Sequence, residues 1–129
     1  MTLETGIKGS ASCTVTENDT AKALGSGGLD VLSTPKLIAL MENASLMLVR
    51  PYLDEGTDTV GTQLNVKHLA ATPVGMTVRA EAELIEIDRR RLVFSVKAWD
   101  EVELVGEGTH ERFIVDMKKF TDKCNAKIK

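Results

Sequence analysis

The chain has few cysteines, few prolines, no surplus of basic charge and no long apolar run. Each shortage closes off a class of protein. The only cysteines, Cys13 and Cys124, sit near opposite ends of 129 residues. Two are too few for a disulfide framework, and neither stands with a histidine at zinc spacing, so no metal or other cofactor is expected. They read as reduced thiols, which points to the cytoplasm. With Pro 3 and Gly 10, the chain is neither a collagen-like repeat nor a flexible spacer. Acidic residues outnumber basic ones 19 to 16, for a formal charge of −3. A nucleic-acid protein usually carries a basic stripe. Here the longest basic run, Arg89-Arg90-Arg91, follows Asp88 and reads as a solvated turn, so no nucleic-acid partner is expected. No window approaches the ~18 apolar residues of a membrane span. The start, Met-Thr-Leu-Glu-Thr-Gly, lacks the basic and apolar regions of a signal peptide.

What remains is ordinary globular material, 43% apolar and 27% charged, of a length that suits one domain over residues 1–129. Alternation of Ala11, Cys13 and Val15 with polar residues, after Ile7, predicts a strand over 6–16. Asn18-Asp19-Thr20 caps a short segment holding Ala21, Ala23 and Leu24. Gly25-Ser26-Gly27-Gly28 then breaks the chain and reads as a mobile loop. It resembles a phosphate loop only loosely, since it lacks the Gly-Lys-Ser/Thr ending and a preceding strand.

The strongest single element is a helix from Thr34, read as its N-cap, with Pro35 in the first turn and Pro51 stopping it after Arg50. Leu37, Leu40, Met41, Ala44, Met47 and Leu48 make a broad apolar face, with a narrow polar stripe at Lys36, Asn43 and Arg50. Four strands follow. Val60, Thr62, Leu64, Val66 and His68 share a parity, as do Val78, Ala80, Ala82 and Leu84. Ile85 and Ile87 switch parity, which predicts a bulge. Leu92, Phe94, Val96 and Ala98 follow a turn at Asp88-Arg89-Arg90, and a last strand runs from about Leu104 to Met117 after a turn near Asp100-Glu101. Short turns between successive strands predict an antiparallel meander covering one long helix, an α+β fold.

Glu42 lies about 100° around the helix from the polar stripe, beside Ile38, Ser45, Leu46 and Val49. A carboxylate among apolar neighbours costs several kcal/mol unless it is paired. Held out of water it becomes a better general base; alternatively it pairs with a basic side chain from a strand. His68 falls on the strand face expected to cover the helix, where an imidazole can shuttle protons or simply be a hydrogen-bonded core residue. Thr34 reads as a cap whose hydroxyl and neighbouring N–H groups can also hold an oxyanion. In one straight helix Thr34 and Glu42 stand roughly 12 Å apart. They share a site only if the chain bends at Thr34 or a second subunit closes the pocket. His110 and Arg112 share a parity in the last strand and face either a pocket or water.

Several segments together resemble the fluoroacetyl-CoA thioesterase family. They are Ser33-Thr34-Pro35, Leu40-Met41-Glu42, Pro51-Tyr52-Leu53, Gly61-Thr62, the run from His68 to Val78, Gly108-Thr109-His110-Glu111-Arg112 and Lys119-Phe120. The likeness runs from about Gly6 to Lys123. It implies a hotdog fold, with a curved antiparallel sheet wrapped around one long central helix. It also implies a homodimer, with tetramers open, whose pockets lie at the subunit boundary, and hydrolysis of an acyl-CoA thioester. The family's catalytic threonine, glutamate and histidine fall on Thr34, Glu42 and His68. Its glycine with a substrate-facing N–H falls on Gly61, and its pocket arginine on Arg112. In one place the chain departs. Where the fluoroacetyl-specific member is bulky and aromatic-rich ahead of the threonine, this chain has Gly25-Ser26-Gly27-Gly28-Leu29-Asp30, so fluoroacetyl selectivity is not carried over. The expected activity is hydrolysis of a short-chain acyl-CoA. The alternatives are an acyl-CoA-binding sensor without catalysis, or a plain structural dimer.

Overall fold

The computed structural model describes residues 2–128. Its centre is helix α2, Thr34–Val49. Pro35 lies in the first turn, where a missing N–H is harmless. A tight turn over Arg50–Tyr52, containing Pro51, follows directly. The cap is Ser33, not Thr34: the Ser33 hydroxyl accepts from Lys36 N at 3.1 Å. That moves Thr34 into the first helical turn and frees its hydroxyl. The buried face comprises Leu37, Leu40, Met41, Ala44, Ser45, Leu48 and Val49. Met47, expected in that face, is 49% exposed; the outer stripe runs through Ala39, Asn43, Met47 and Arg50.

Five strands form one antiparallel sheet: β1 Lys8–Thr14, β2 Thr57–His68, β3 Thr77–Asp88, β4 Arg91–Trp99 and β5 Leu104–Asp116. Their spatial order is β1-β3-β4-β5-β2. Only β3, β4 and β5 make the expected meander. β2 instead pairs with β5 at the far edge, while β1 lies beside β3. The segment after β2 carries the chain across the end of the sheet. It is held there by Leu69 N to Val105 O (2.7 Å) and Leu32 N to Thr72 O (2.8 Å). The bulge read at Ile85 is present, as a register shift between Leu84 and Glu86.

Val78, Ala80, Ala82 and Leu84 of β3 and Leu92, Phe94, Val96 and Ala98 of β4 are all 0% exposed and form one core with α2. Each fully buried Val or Leu is worth about 1.5–3 kcal/mol. Helix and sheet approach closely: a methyl group on Gly9 of β1 would stand 2.8 Å from Leu48 Cβ. A one-turn helix α1, Ala21–Leu24, is capped by Thr20 and closed by Gly25 in the left-handed conformation (φ +71°). The start of the glycine segment is therefore a helix cap, with Ser26 N bonded to Ala21 O at 2.9 Å. A last helix α3, Met117–Asn125, packs no buried residue. Among the described residues no helix is long and apolar enough to cross a membrane.

Candidate active site

Helix α2 and strand β2 present two clusters. The first lies at the start of α2. Because Ser33 takes the capping role, Thr34 Oγ1 reaches His68 Nδ1, at the end of β2, at 2.7 Å. This pair lines an open cavity of about 330 Å3 with Ala21, Ser26, Val31, Leu69 and Ala70. His68 Nε2 is buried and has no hydrogen-bond partner. Burial pushes the His68 imidazole below its ordinary range, opposed by the Ala70 backbone, so the ring is neutral at neutral pH.

The second cluster surrounds Glu42. Its carboxylate does not lie among apolar side chains as the helical wheel suggests; it is 37% exposed, with Oε2 3.8 Å from Arg112 Nη1. The alternative, pairing with a basic side chain from a strand, is what the fold shows, with Arg112 arriving from β5. Arg112 is 6% exposed. Its Nε donates to Thr59 Oγ1 at 2.8 Å and its Nη2 to Thr59 O at 2.9 Å. Burial lowers the readiness of this guanidinium to hold its proton, while Glu42 and Asp58 oppose that. Gly61 stands opposite. A methyl group there would lie 3.0 Å from Glu42 Oε2, 3.2 Å from His110 Cε1 and 3.4 Å from Arg112 Nη1. Beside it β2 bulges, the register shifting between Gly61 and Gln63.

Of the residues singled out in the sequence, the fold therefore joins Thr34 to His68, and Glu42 to Gly61 and Arg112. It does not join the two groups within one chain. α2 is continuous from Thr34, so the eight residues to Glu42 span roughly 12 Å. Gly61 and His68 are likewise about 20 Å apart along β2. The shared parity of His110 and Arg112 resolves inward, with both buried. Thr59, which holds two of the arginine's nitrogens, drew no attention in the sequence; its parity with Gly61 was the available signal. Among the described residues no cluster of three or more His, Cys, Asp or Glu is arranged to hold a metal ion.

Comparison with known proteins finds relatives in both sequence and fold. A family model described as fluoroacetyl-CoA-specific thioesterase matches residues 15–118. The fluoroacetyl-CoA thioesterase of Streptantibioticus cattleyicolor is 42% identical over 98 residues, 76% of this chain and 70% of that protein. The solved structure of the fluoroacetyl-CoA thioesterase FlK superimposes with a TM-score of 0.94 at 33% identity, covering 100% of both chains. A variant of FlK in complex with fluoroacetate and CoA gives a TM-score of 0.87 at 35% identity, over 92% of this chain and 99% of that one. The chain belongs to the fluoroacetyl-CoA-specific thioesterase family and is a hotdog-fold thioester hydrolase.

Proposed function

We propose that the protein hydrolyses short-chain acyl-CoA thioesters to the free acid and CoA, as a single-domain homodimer in the cytoplasm. Thr34, Glu42 and His68 carry the chemistry, with Gly61 and Arg112 at the substrate. The observation that carries this reading is the Thr34–His68 contact at 2.7 Å, made by two side chains that line one cavity. The ~12 Å between Thr34 and Glu42 supports a two-chain site, in which the Thr34–His68 pair of one protomer faces Glu42 of the partner subunit. A CoA-bound relative supports CoA as the carrier.

In this mechanism the thioester carbonyl lies beside Glu42, which either activates water or attacks the carbon itself. His68 moves the proton, and the Thr34 hydroxyl fixes the ring through Nδ1. A backbone N–H at Gly61 or at Thr34 stabilises the oxyanion, worth ~3–4 kcal/mol per donor; Lys36 and Leu37 already give theirs to Ser33. Arg112 offsets negative charge near Glu42. The thiolate leaves readily, so little help is needed there. A methyl group at Gly28 would meet nothing within 4 Å. With no bulky gate ahead of Thr34, the substrate range is acyl-CoAs of several short chains rather than fluoroacetyl-CoA alone.

A thiol-release assay over acetyl-, propionyl-, butyryl- and fluoroacetyl-CoA tests this. Release from several short acyl-CoAs, nearly abolished in Glu42→Ala with the fold intact, is the expected result. Full activity in that variant removes Glu42 from the chemistry, and binding without release favours a sensor.

A further inference from the structure

β5 turns a second histidine inward. His110 is 1% exposed, with the Phe94 ring 6.1 Å away between centroids. Its Nδ1 lies 2.9 Å from Gln63 O and its Nε2 lies 3.1 Å from Arg112 Nη1. A carbonyl can only accept and a guanidinium can only donate. Both contacts are hydrogen bonds in one protonation state alone: Nδ1 carries the proton, Nε2 offers its lone pair, and the ring is uncharged. Arg112 Nε and Nη2 are already committed to Thr59. The atom that donates to His110, Nη1, is also the one that faces Glu42 Oε2 at 3.8 Å. That separation is long beside the ~2.8 Å of a closed arginine–carboxylate bond. Nη1 carries two hydrogens; one goes to His110 Nε2, and together with the two bonds to Thr59 this fixes the plane of the guanidinium, with Nη1 3.8 Å from Glu42 Oε2.

We propose that His110 is a positioning residue: as the acceptor of Arg112 Nη1, it completes the set of bonds that fixes the guanidinium's orientation and holds its charge beside Glu42 at 3.8 Å. This rests on the reading that Glu42 carries the chemistry. A carboxylate locked by arginine is a poorer base and nucleophile, whereas one with a positive charge at arm's length keeps its lone pairs available. Protonating His110 would turn its acceptor into a donor aimed at Nη1. The charged groups facing the ring are Arg112 and Glu111 of β5, Glu42 of α2 and Arg91 of β4, the last paired with Glu86 and Glu111. Burial lowers the imidazole's proton affinity. The Gln63 carbonyl opposes this, Arg112 adds to it, and Glu42 and Glu111 oppose it. The net direction is downward, so the neutral form persists at neutral pH.

Two substitutions separate positioning from packing. In His110→Gln the side-chain amide reaches the place of Nε2 and can still accept from Arg112. In His110→Asn it reaches only the place of Nδ1 and keeps the bond to Gln63 alone. On acetyl-CoA, His110→Asn should lose roughly 10- to 100-fold in kcat with KM nearly unchanged, and His110→Gln should recover most of the loss. In the full-length wild type at pH 7, 15N–1H correlation spectra of the imidazoles should show His110 as the Nδ1–H tautomer. Equal losses in the two variants, or a His110 that is charged or protonated on Nε2, overturn the positioning role while hydrolysis by the wild type leaves the function standing. A wild type that shows the Nδ1–H tautomer yet hydrolyses none of the acyl-CoAs overturns both.

Discussion

Gly61→Ala is the perturbation whose consequences can be worked out most fully. A Cβ at this position would stand 3.0 Å from Glu42 Oε2, 3.2 Å from His110 Cε1 and 3.4 Å from Arg112 Nη1. Carbon atoms make ordinary contact from about 3.5 Å, so the first two neighbours must give way by a few tenths of an ångström. His110 is fully enclosed and tied to Gln63 and Arg112, and has no slack. Glu42 is 37% exposed and unbonded on its outer side, so it moves. Glu42 yields as the end of a flexible side chain and His110 yields less freely, so the cost in stability is at least the low end for overpacking, about 1 kcal/mol. That is a fall of roughly 4 °C in Tm for a domain of this size. Catalysis is less forgiving, since displacing a reacting group by 1 Å can cost ~100-fold. A few tenths should cost about 10-fold in kcat. Alanine keeps the backbone N–H, so an oxyanion donor at this position survives and the loss reports the displacement of Glu42 and of the His110–Arg112 pair beside it. The assay is thiol release from acetyl-CoA beside a thermal melt, with Gly28→Ala, where the methyl group meets nothing, as the control. A folded Gly61→Ala protein with wild-type kcat would refute the reasoning.

Other expectations follow from single contacts. Ser33→Ala removes the cap of α2 and should cost about 1 kcal/mol in chemical denaturation, whereas Thr34→Val should leave stability nearly unchanged and lower kcat, which separates the two hydroxyls. Asp100 accepts from Thr72 Oγ1 (2.9 Å), Val102 N (2.8 Å) and Glu103 N (2.9 Å). Burial pushes this carboxyl up, and the hydrogen bonds more than reverse that, leaving it below its ordinary range. The stability it contributes is therefore present at neutral pH and lost as pH falls through the lowered value. Asp100→Ala should lose about 1–3 kcal/mol at pH 7, a deficit that narrows below about pH 4 in urea titrations. Arg89, in the two-residue turn between β3 and β4, has a φ of +60°. Arg89→Gly should raise stability by roughly 1 kcal/mol, since glycine adopts that conformation without a Cβ clash.

Elements defined by local chemistry were legible in the sequence. Pro35 and Pro51 bracket α2, alternation marks β1, β3 and β4, and the parity switch at Ile85 locates one bulge; the single parity read from Val60 to His68 fails, because the bulge between Gly61 and Gln63 turns Val60 to the opposite face from Leu64. Relations between distant segments were not. Nothing in the pattern of β2 says that it crosses to the far edge of the sheet rather than pairing with β3, because that depends on how residues 69–76 pass the sheet end. Ser33 and Thr34 are adjacent hydroxyls, each a competent cap, and only the arrival of His68 assigns their roles. Of the two readings of Glu42, pairing with a basic side chain from a strand is the one the fold takes, but a helical wheel cannot say that the partner is Arg112 of β5. α3 was missed because it is polar and buries no residue. The family resemblance supplied Gly61 and Arg112. The core packing of His110 and the anchoring role of Thr59 came only from the folded chain.

The two-chain site admits a direct measurement with mixed dimers. Glu42→Ala and His68→Ala should each be nearly inactive alone. Mixed under conditions that let subunits exchange, about half the dimers pair one of each, and each such dimer rebuilds one site from the intact His68 of one chain and the intact Glu42 of the other. Thiol release from acetyl-CoA should then rise to about a quarter of the wild-type rate. Activity that stays at the level of the separate variants, despite confirmed subunit exchange, would contradict a site shared between protomers.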